Sequence, residues 1–419
     1  MRILVVLPMY GGSLPIGRYC QEALQSLGHS VRVFEAPIFY STFTGLKNLD
    51  LSPEQIFPLE RSFLQIVGQA IWAQTESFEP HLLLAMAQAP VSKPILARMR
   101  KAGVRTVMWF VEDYQLFQYW QLYAPLYDVF AVIQKEPFLT ELAKIGQNRV
   151  LYLPLAALPK FHHKITLSPA EEQIYGADIG FLGAGYPNRR LAFRSLAGKN
   201  FKIWGSDWDG EQILAANIQR EGQRISSEES VKIYNASKIN LNLHSSIKVD
   251  QLIGGGDFVN PRTFELAAME AFQLVDKRSL LPELFEADEL ATFASVDELY
   301  SKIEFYLHHP AERCEIVAKA YKKVLAEHTY QHRMETLLGY VEDTLGFNKF
   351  HADLDAQNTT GDFGEYDAAI QNLLTELNAG PNATFEEVVA RLRRQTGHLT
   401  ELETSILFLD EFRKQYLGN

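Results

Sequence analysis

Residues Leu82–Val111 read LLLAMAQAPVSKPILARMRKAGVRTVMWFV. Leu82–Met86 is a short, unbroken apolar run, the pattern of a strand buried on both faces. Ile95–Ala102 follows with helical spacing, and Gly103 supplies a residue suited to closing a helix. Val104–Val111 is apolar again. A strand, a helix and a second strand in this order make a parallel βαβ unit, because a parallel return needs a crossover of helical length.

The alternation continues in both directions. Upstream lie a strand at Arg2–Leu7, a loop at Met9–Ser13, a helix at Ile16–Leu27 ending at Gly28, a strand at Val31–Glu35 and a long helix at Leu59–Ser77. Downstream come Val129–Ile133, a helix at Pro137–Ile145 and Val150–Leu153. Pro154–Gly176 reads as a polar connection, after which the pattern restarts. Strands at Asp178–Leu182, Phe201–Trp204, Ile239–Leu243, Leu274–Asp276 and Leu290–Phe293 alternate with helices at Asn188–Ala197, Ser227–Asn235 and Pro261–Ala271. Two helices, Val296–His308 and Ala311–Glu327, close this half. Beyond about Phe347 the segment Asn358–Gly364 reads as a linker, followed by three amphipathic helices. Two of these carry capping boxes, Thr384 with Glu387 and Thr400 with Glu403. Leu402, Ile406, Leu409 and Phe412 form the expected apolar face of the last.

The predicted organisation is α/β. Two Rossmann-like, doubly wound domains, 1–156 and 157–346, face each other across a cleft, and 347–419 is a small helical extension. The apolar face of the extension packs on the body or on a partner chain, which leaves an oligomer open.

Composition narrows the partners. The chain has 419 residues, 47% of them apolar, enough to fill two cores. Its formal charge of −11 is spread rather than blocked, which argues against a general nucleic-acid binder. No stretch has the length of a membrane span. The first residues read as a strand, not a signal peptide, and two distant cysteines, Cys20 and Cys314, suit a reducing, cytoplasmic setting.

Candidate ligand-binding residues gather at predicted strand ends. Asn260-Pro261-Arg262-Thr263-Phe264-Glu265 opens a helix. Arg262 and the free N–H groups suit a diphosphate, and Glu265, one turn on, can accept two ribose hydroxyls. Gly183-Ala184-Gly185-Tyr186-Pro187-Asn188-Arg189-Arg190 links a strand to a helix. Its glycines let a phosphate approach the backbone, and Arg189 or Arg190 can offset the charge. His244 ends a strand at the same mouth. In the first half, Glu112 and Asp113 end a strand over the cleft, where one can take a proton from an acceptor hydroxyl. Adjacent strand residues point oppositely, so at most one of the two faces the substrate. Gly11 and Gly12 give the first loop freedom on the acceptor side. Tyr114, Phe117, Tyr119, Trp120 and Tyr123 form an aromatic cluster suited to packing or to stacking on an acceptor. Asp207-Trp208-Asp209 has the look of a metal-holding Asp-x-Asp but reads as a surface turn, so no metal is expected.

Several of these pieces, in order, resemble the CgeB-like (spore-maturation protein B type) glycosyltransferase family. They are Trp109–Asp113, Asp178–Arg190, Lys202–Gly205, Ser237–His244, Asn260–Phe272, Ser295–Leu299, Tyr306–Arg313 and His328–Arg333. The likeness covers residues 100–345 well and 1–100 by architecture only. It implies a GT-B fold with a nucleotide-sugar on the second domain, and transfer without a cofactor or metal to an unidentified protein, glycan or small metabolite. In related retaining enzymes two acids eight positions apart touch the sugar and the ribose. Glu265 matches the second, and Asp257, in Gly254-Gly255-Gly256-Asp257, stands where a glutamate is usual. Two readings stay open beside it: a nucleotide-sugar epimerase or hydrolase using His244 and Asp257, and a non-catalytic nucleotide-binding or scaffold protein.

Overall fold

A computed structural model describes residues 1–246, 253, 256–348, 364–380, 383–395 and 399–416. Residues Met1–Ala352 form one compact unit holding two parallel sheets. The first comprises β1 (Arg2–Val6), β2 (Ser30–Phe34), β3 (Leu82–Met86), β4 (Arg105–Phe110), β5 (Val129–Val132) and β6 (Val150–Tyr152), in the order β2-β1-β3-β4-β5-β6. The second comprises β7 (Ala177–Leu182), β8 (Phe201–Trp204), β9 (Ser237–Asn242), β10 (Gln273–Asp276) and β11 (Ala291–Phe293), in the order β11-β10-β9-β7-β8. Counted from its own first strand, each sheet starts 2-1-3-4-5. Its topological switch therefore lies between the first and third strands, where ligands bind outside the strand ends.

Every residue of β3 is buried because helices cover both faces of the sheet. Leu84 and Trp109 face one apolar cluster, Leu83 and Phe110 the other. Fully burying side chains of this size contributes about 1.5–3 kcal/mol each.

Several helices differ from expectation. The long helix of the first half runs Pro53–Phe78, six residues earlier than read, because Ser52 and Gln55 form a capping box ahead of Pro58. The connection at Pro154–Gly176 contains a helix, Pro169–Tyr175, capped by Ser168. A further helix, Tyr330–Leu345, follows the two thought to close the second half. It returns to the first half. Its Tyr330, Met334, Leu337 and Val341 join a cluster with Ile16, Tyr19 and Cys20 of the Ser13–Ser26 helix. Arg333 donates to the carbonyls of Pro154 (2.7 Å) and Leu155 (3.2 Å), and Arg105 donates to those of Leu345 and Gly346.

Residues Asp353–Asn419 form the other unit. Its helices are Gly364–Glu376, Phe385–Leu392 and Glu401–Tyr416, and Glu387 and Glu403 cap as expected. The apolar face of the last helix is a correction. Leu402, Ile406 and Leu407 pack on Leu373, Leu377 and Leu392, whereas Leu409 is 53% exposed. The buried stripe is rotated towards Leu407. The Phe412 side chain and the linker residues before Gly364 lie outside the described residues. Among the described residues no helix is long and apolar enough to cross a membrane.

Candidate functional site

The loop after β7 is shaped by close backbone approach. A Cβ on Gly185 would lie 2.2 Å from the Asp207 carbonyl oxygen, so no larger residue fits. Gly183 accepts a hydrogen bond from Trp208 Nε1 (3.0 Å). Arg190 donates to the carbonyls of Gly185, Asp207 and Asp209. Its guanidinium therefore clamps the Asp207–Asp209 turn. Trp208 in that turn is buried in the core, so the turn is less superficial than its sequence suggested. Among the described residues no three of His, Cys, Asp and Glu are grouped to hold a metal ion.

Pro187 starts the next helix, whose first turn reaches the loop after β9. Asn188, fully buried, donates to the His244 carbonyl (2.9 Å) and accepts from the Ser246 N–H (3.0 Å). Arg189 donates to the carbonyls of Leu243 and Ala184, both at 3.0 Å.

His244 belongs to a buried chain of polar groups. Its Nε2 accepts the Asn260 N–H (2.9 Å), which assigns the proton to Nδ1, 2.6 Å from Asp276 Oδ1. Burial holds the imidazole below its usual pKa despite the carboxylate beside it, so it is neutral. Burial would raise the Asp276 carboxyl, but His244 and Arg278 more than offset that and hold it low. Asn260 caps the Pro261–Ala268 helix by accepting from the Thr263 N–H (3.1 Å), and also donates to Asn242 (2.7 Å). Asn242 in turn donates to Thr263 Oγ1 (3.0 Å). His244, Asn188, Asn260 and Thr263 are thus the frame of the site, with their polar atoms engaged inside the protein.

Two arginines stand on that frame. Arg262 donates from Nε to the Tyr234 hydroxyl (2.8 Å), and its Cζ lies 5.7 Å from the Phe181 ring centre. Arg189 lies 5.2 Å from the same ring and 5.3 Å from the Tyr186 ring. Burial first, and the charge of Arg262 second, lower the Arg189 guanidinium to about 9. Among the described residues neither arginine has a carboxylate within salt-bridge distance. A desolvated arginine beside a second positive charge is costly, so the arrangement is suited to an incoming anion.

Glu265 lies one helical turn beyond Arg262. Burial raises its carboxyl to about 7 against the pull of that arginine. Its neighbour His162, 3.7 Å away, accepts the Leu158 N–H at Nδ1 and is held neutral by burial, at about 3. The Tyr330 hydroxyl, fully buried and without a hydrogen-bond partner among the described residues, feels the same carboxylate, as does Tyr19.

Across the cleft, Gly11 has φ 111° and faces the Gln88 side chain. Gly12 is the N-cap of the Ser13–Ser26 helix. Glu112 accepts from Gln88 Nε2 and from the Tyr119 hydroxyl (2.9 Å). Burial raises its carboxyl, with the two bonds pulling back. Asp113 accepts the Gln115 N–H (2.9 Å), and its charge acts on Arg278 in the second half. The strand β4 ends at Phe110, so the two adjacent acids stand on the loop after it rather than on the strand. Gln134 of the first half donates to Asp257 Oδ1 (2.8 Å). Gly254 and Gly255 lie outside the described residues. Of the aromatic cluster, Tyr114 and Trp120 pack on Phe138, while Phe117 is 39% exposed.

Residues 189–339 match the model of the family described as glycosyl transferase-like. The spore protein CgeB of Bacillus subtilis (strain 168) is 24% identical over 266 residues, 61% of this chain and 81% of that protein. Among solved structures, a sucrose-phosphate synthase from Thermosynechococcus elongatus superposes with TM-score 0.56 at 11% identity, over 82% of this chain and 98% of its own. HepE of Anabaena, in complex with UDP and glucose, gives 0.55 at 11% over 82% and 100%.

The fold is GT-B, and the chain is similar to CgeB.

The segment matched by the family model opens at Arg189 and includes His244, Asn260, Arg262, Thr263 and Glu265. Gly183, Tyr186 and Asn188 precede it, and Gly11, Gly12, Glu112 and Asp113 lie in the other half. Three site residues escaped the reading of the sequence. Arg278 follows β10, donates to the Phe258 carbonyl (3.1 Å) and has Nη1 3.6 Å from Asp276. Its place just past a strand's C-terminal end was the available signal. His162 sits in the segment read as a polar connection. Tyr330 sits on the unread return helix.

Proposed function

We propose that this chain transfers a sugar, of hexose type, from a nucleoside-diphosphate sugar to an acceptor hydroxyl without a metal ion. The observation that carries the reading is Arg189, desolvated and beside the charge of Arg262, with no carboxylate within salt-bridge distance of either among the described residues, at the strand ends of the second sheet. Fixed positive charge there stabilises the diphosphate most as the bond to the anomeric carbon breaks and negative charge grows on the leaving oxygen. Glu265, 15% exposed at its side chain, is placed to accept ribose hydroxyls. That HepE was solved with UDP and glucose on the same fold supports this class of donor.

The second half (157–346) then holds the donor and the first half (1–156) the acceptor. The acceptor oxygen forms the new bond to the anomeric carbon, and the nucleoside diphosphate leaves. Asp113, facing Arg278, receives the acceptor proton if the configuration inverts; in a retaining reaction the departing diphosphate takes it. Glu112, with both oxygens engaged, positions Gln88 and Tyr119. The epimerase reading leaned on His244, whose two ring nitrogens are occupied within the protein. Two free thiols, Cys20 and Cys314, support a cytoplasmic setting.

The test is calorimetric titration of the folded chain with UDP-, GDP-, ADP-, TDP- and CMP-sugars in EDTA. Saturable binding of one nucleotide class is expected. Silence across the panel, or binding only after Mg²⁺ is added, contradicts the proposal.

A further inference from the structure

A pocket of about 220 Å³ opens in the first half beside the Glu112 carboxylate. Leu64, Pro90, Val91, Met108 and Tyr123 supply its apolar lining, and Gln88 and Tyr119 form its polar end. These last two also bind Glu112, so one wall serves both the pocket and the acid. The wall is held in an unusual conformation. Gln88 has φ 63°, in the left-handed region that a residue with a side chain adopts at a cost. Its N–H donates to the Tyr119 hydroxyl (2.9 Å), which fixes that hydroxyl towards Glu112. Strain of this kind is kept where the backbone serves a site. The position is also the switch of the first sheet, between β1 and β3, with Gly11 on one side and Gln88 on the other.

We infer that the acceptor carries an aryl group that seats in this pocket, with its reactive hydroxyl beyond the Gln88–Tyr119 wall. An apolar cavity of about 150 Å³ admits a benzene ring, so 220 Å³ takes one substituted ring and not a whole lipid or a sugar chain. The Tyr119 and Tyr123 rings, 6.5 Å apart at 77°, present an edge-to-face arrangement that an aromatic occupant extends. The Ser92 hydroxyl at the pocket's side makes no capping bond to the helix it precedes and suits a polar ring substituent. The amphiphilic character follows: an apolar body with polar groups at one end. This inference rests on the proposed transfer reaction for the word acceptor, but the pocket's preference can be read without turnover.

The experiment compares phenyl, butyl and methyl β-glucosides by calorimetric titration of the full chain. Phenyl glucoside is expected to bind at least about tenfold tighter than methyl glucoside, the increment of burying one ring. In Leu64→Trp, where the new indole occupies the pocket from its half-open rim, that preference should collapse to unity. Nucleotide-sugar affinity, read on the same sample, should not change and reports that the variant is folded. Equal affinities in the wild type, or a preference that survives Leu64→Trp, overturn the pocket assignment. Butyl glucoside binding as tightly as phenyl overturns the aryl class. Aryl preference without any nucleotide-sugar binding keeps the pocket and removes the donor reading, so the two failures are distinguishable.

Discussion

Glu265 carries the sharpest prediction for a single residue. Its carboxyl sits at about 7 in the folded chain, against an ordinary value of 4.5. A pKa raised on folding gives a contribution to stability that is whole below the unfolded value and disappears as pH rises through the folded one. Glu265→Gln should therefore melt above the wild type at pH 8, by up to about 3 kcal/mol in stability, and match it below pH 4.5. The same carboxylate, once ionised, accepts ribose hydroxyls, so nucleotide-sugar affinity in the wild type should rise between pH 6 and 8. Glu265→Gln should bind weakly with no such rise. An unchanged melting difference across this range would show that the carboxyl is not desolvated. Glu265 and Arg262 were legible because one follows the other by a turn behind an Asn-Pro helix start. His162 was not, since a histidine in a polar stretch gives no sign that a buried carboxylate will face it.

Among the elements, the return helix Tyr330–Leu345 decides how the two halves are joined. Arg333 holds it by donating to the carbonyls of Pro154, Leu155 and Glu327. Arg333→Ala leaves buried carbonyls unmatched, at about 1–3 kcal/mol each. Urea unfolding should show a loss of roughly 3 kcal/mol or more, and a loss under 1 kcal/mol would mean water replaces the guanidinium. In the loop after β7, Gly185→Ala forces a Cβ against the Asp207 carbonyl. It should destabilise the second half by about 1–3 kcal/mol and weaken nucleotide-sugar binding, both readable in one calorimetric series. The strands were legible because a sheet covered on both faces demands unbroken apolar runs, as in Leu82–Met86. The return helix was not. Its N-cap Thr329 pairs with His332 where the familiar signature has Glu or Gln, and its apolar face answers a helix at Ser13–Ser26, far away in sequence.

At the scale of the molecule, the GT-B body brings two unlike strand-end surfaces together. The second sheet offers Arg189, Arg262 and Arg278, although the whole chain is at −11. The first sheet offers Asp113, Glu112 and the aryl-sized pocket. Gln134 to Asp257, Lys135 with Glu283, and Arg224 over the Tyr10 ring at 4.7 Å cross between them. Composition reported the net charge and hid this local excess, because a cluster of arginines becomes visible only when the fold brings its members together. The central claim is that this excess is the diphosphate site. The ratio of affinities for the nucleoside diphosphate and its parent nucleoside, titrated in EDTA, measures it directly. Charge-assisted bonds of about 1.5–3 kcal/mol each predict a ratio of at least roughly 100 in the wild type. In Arg262→Ala, whose main-chain frame is held by Asn260 and Thr263, the ratio should fall by roughly tenfold or more. A wild-type ratio near one, or a ratio untouched by Arg262→Ala, would contradict the account.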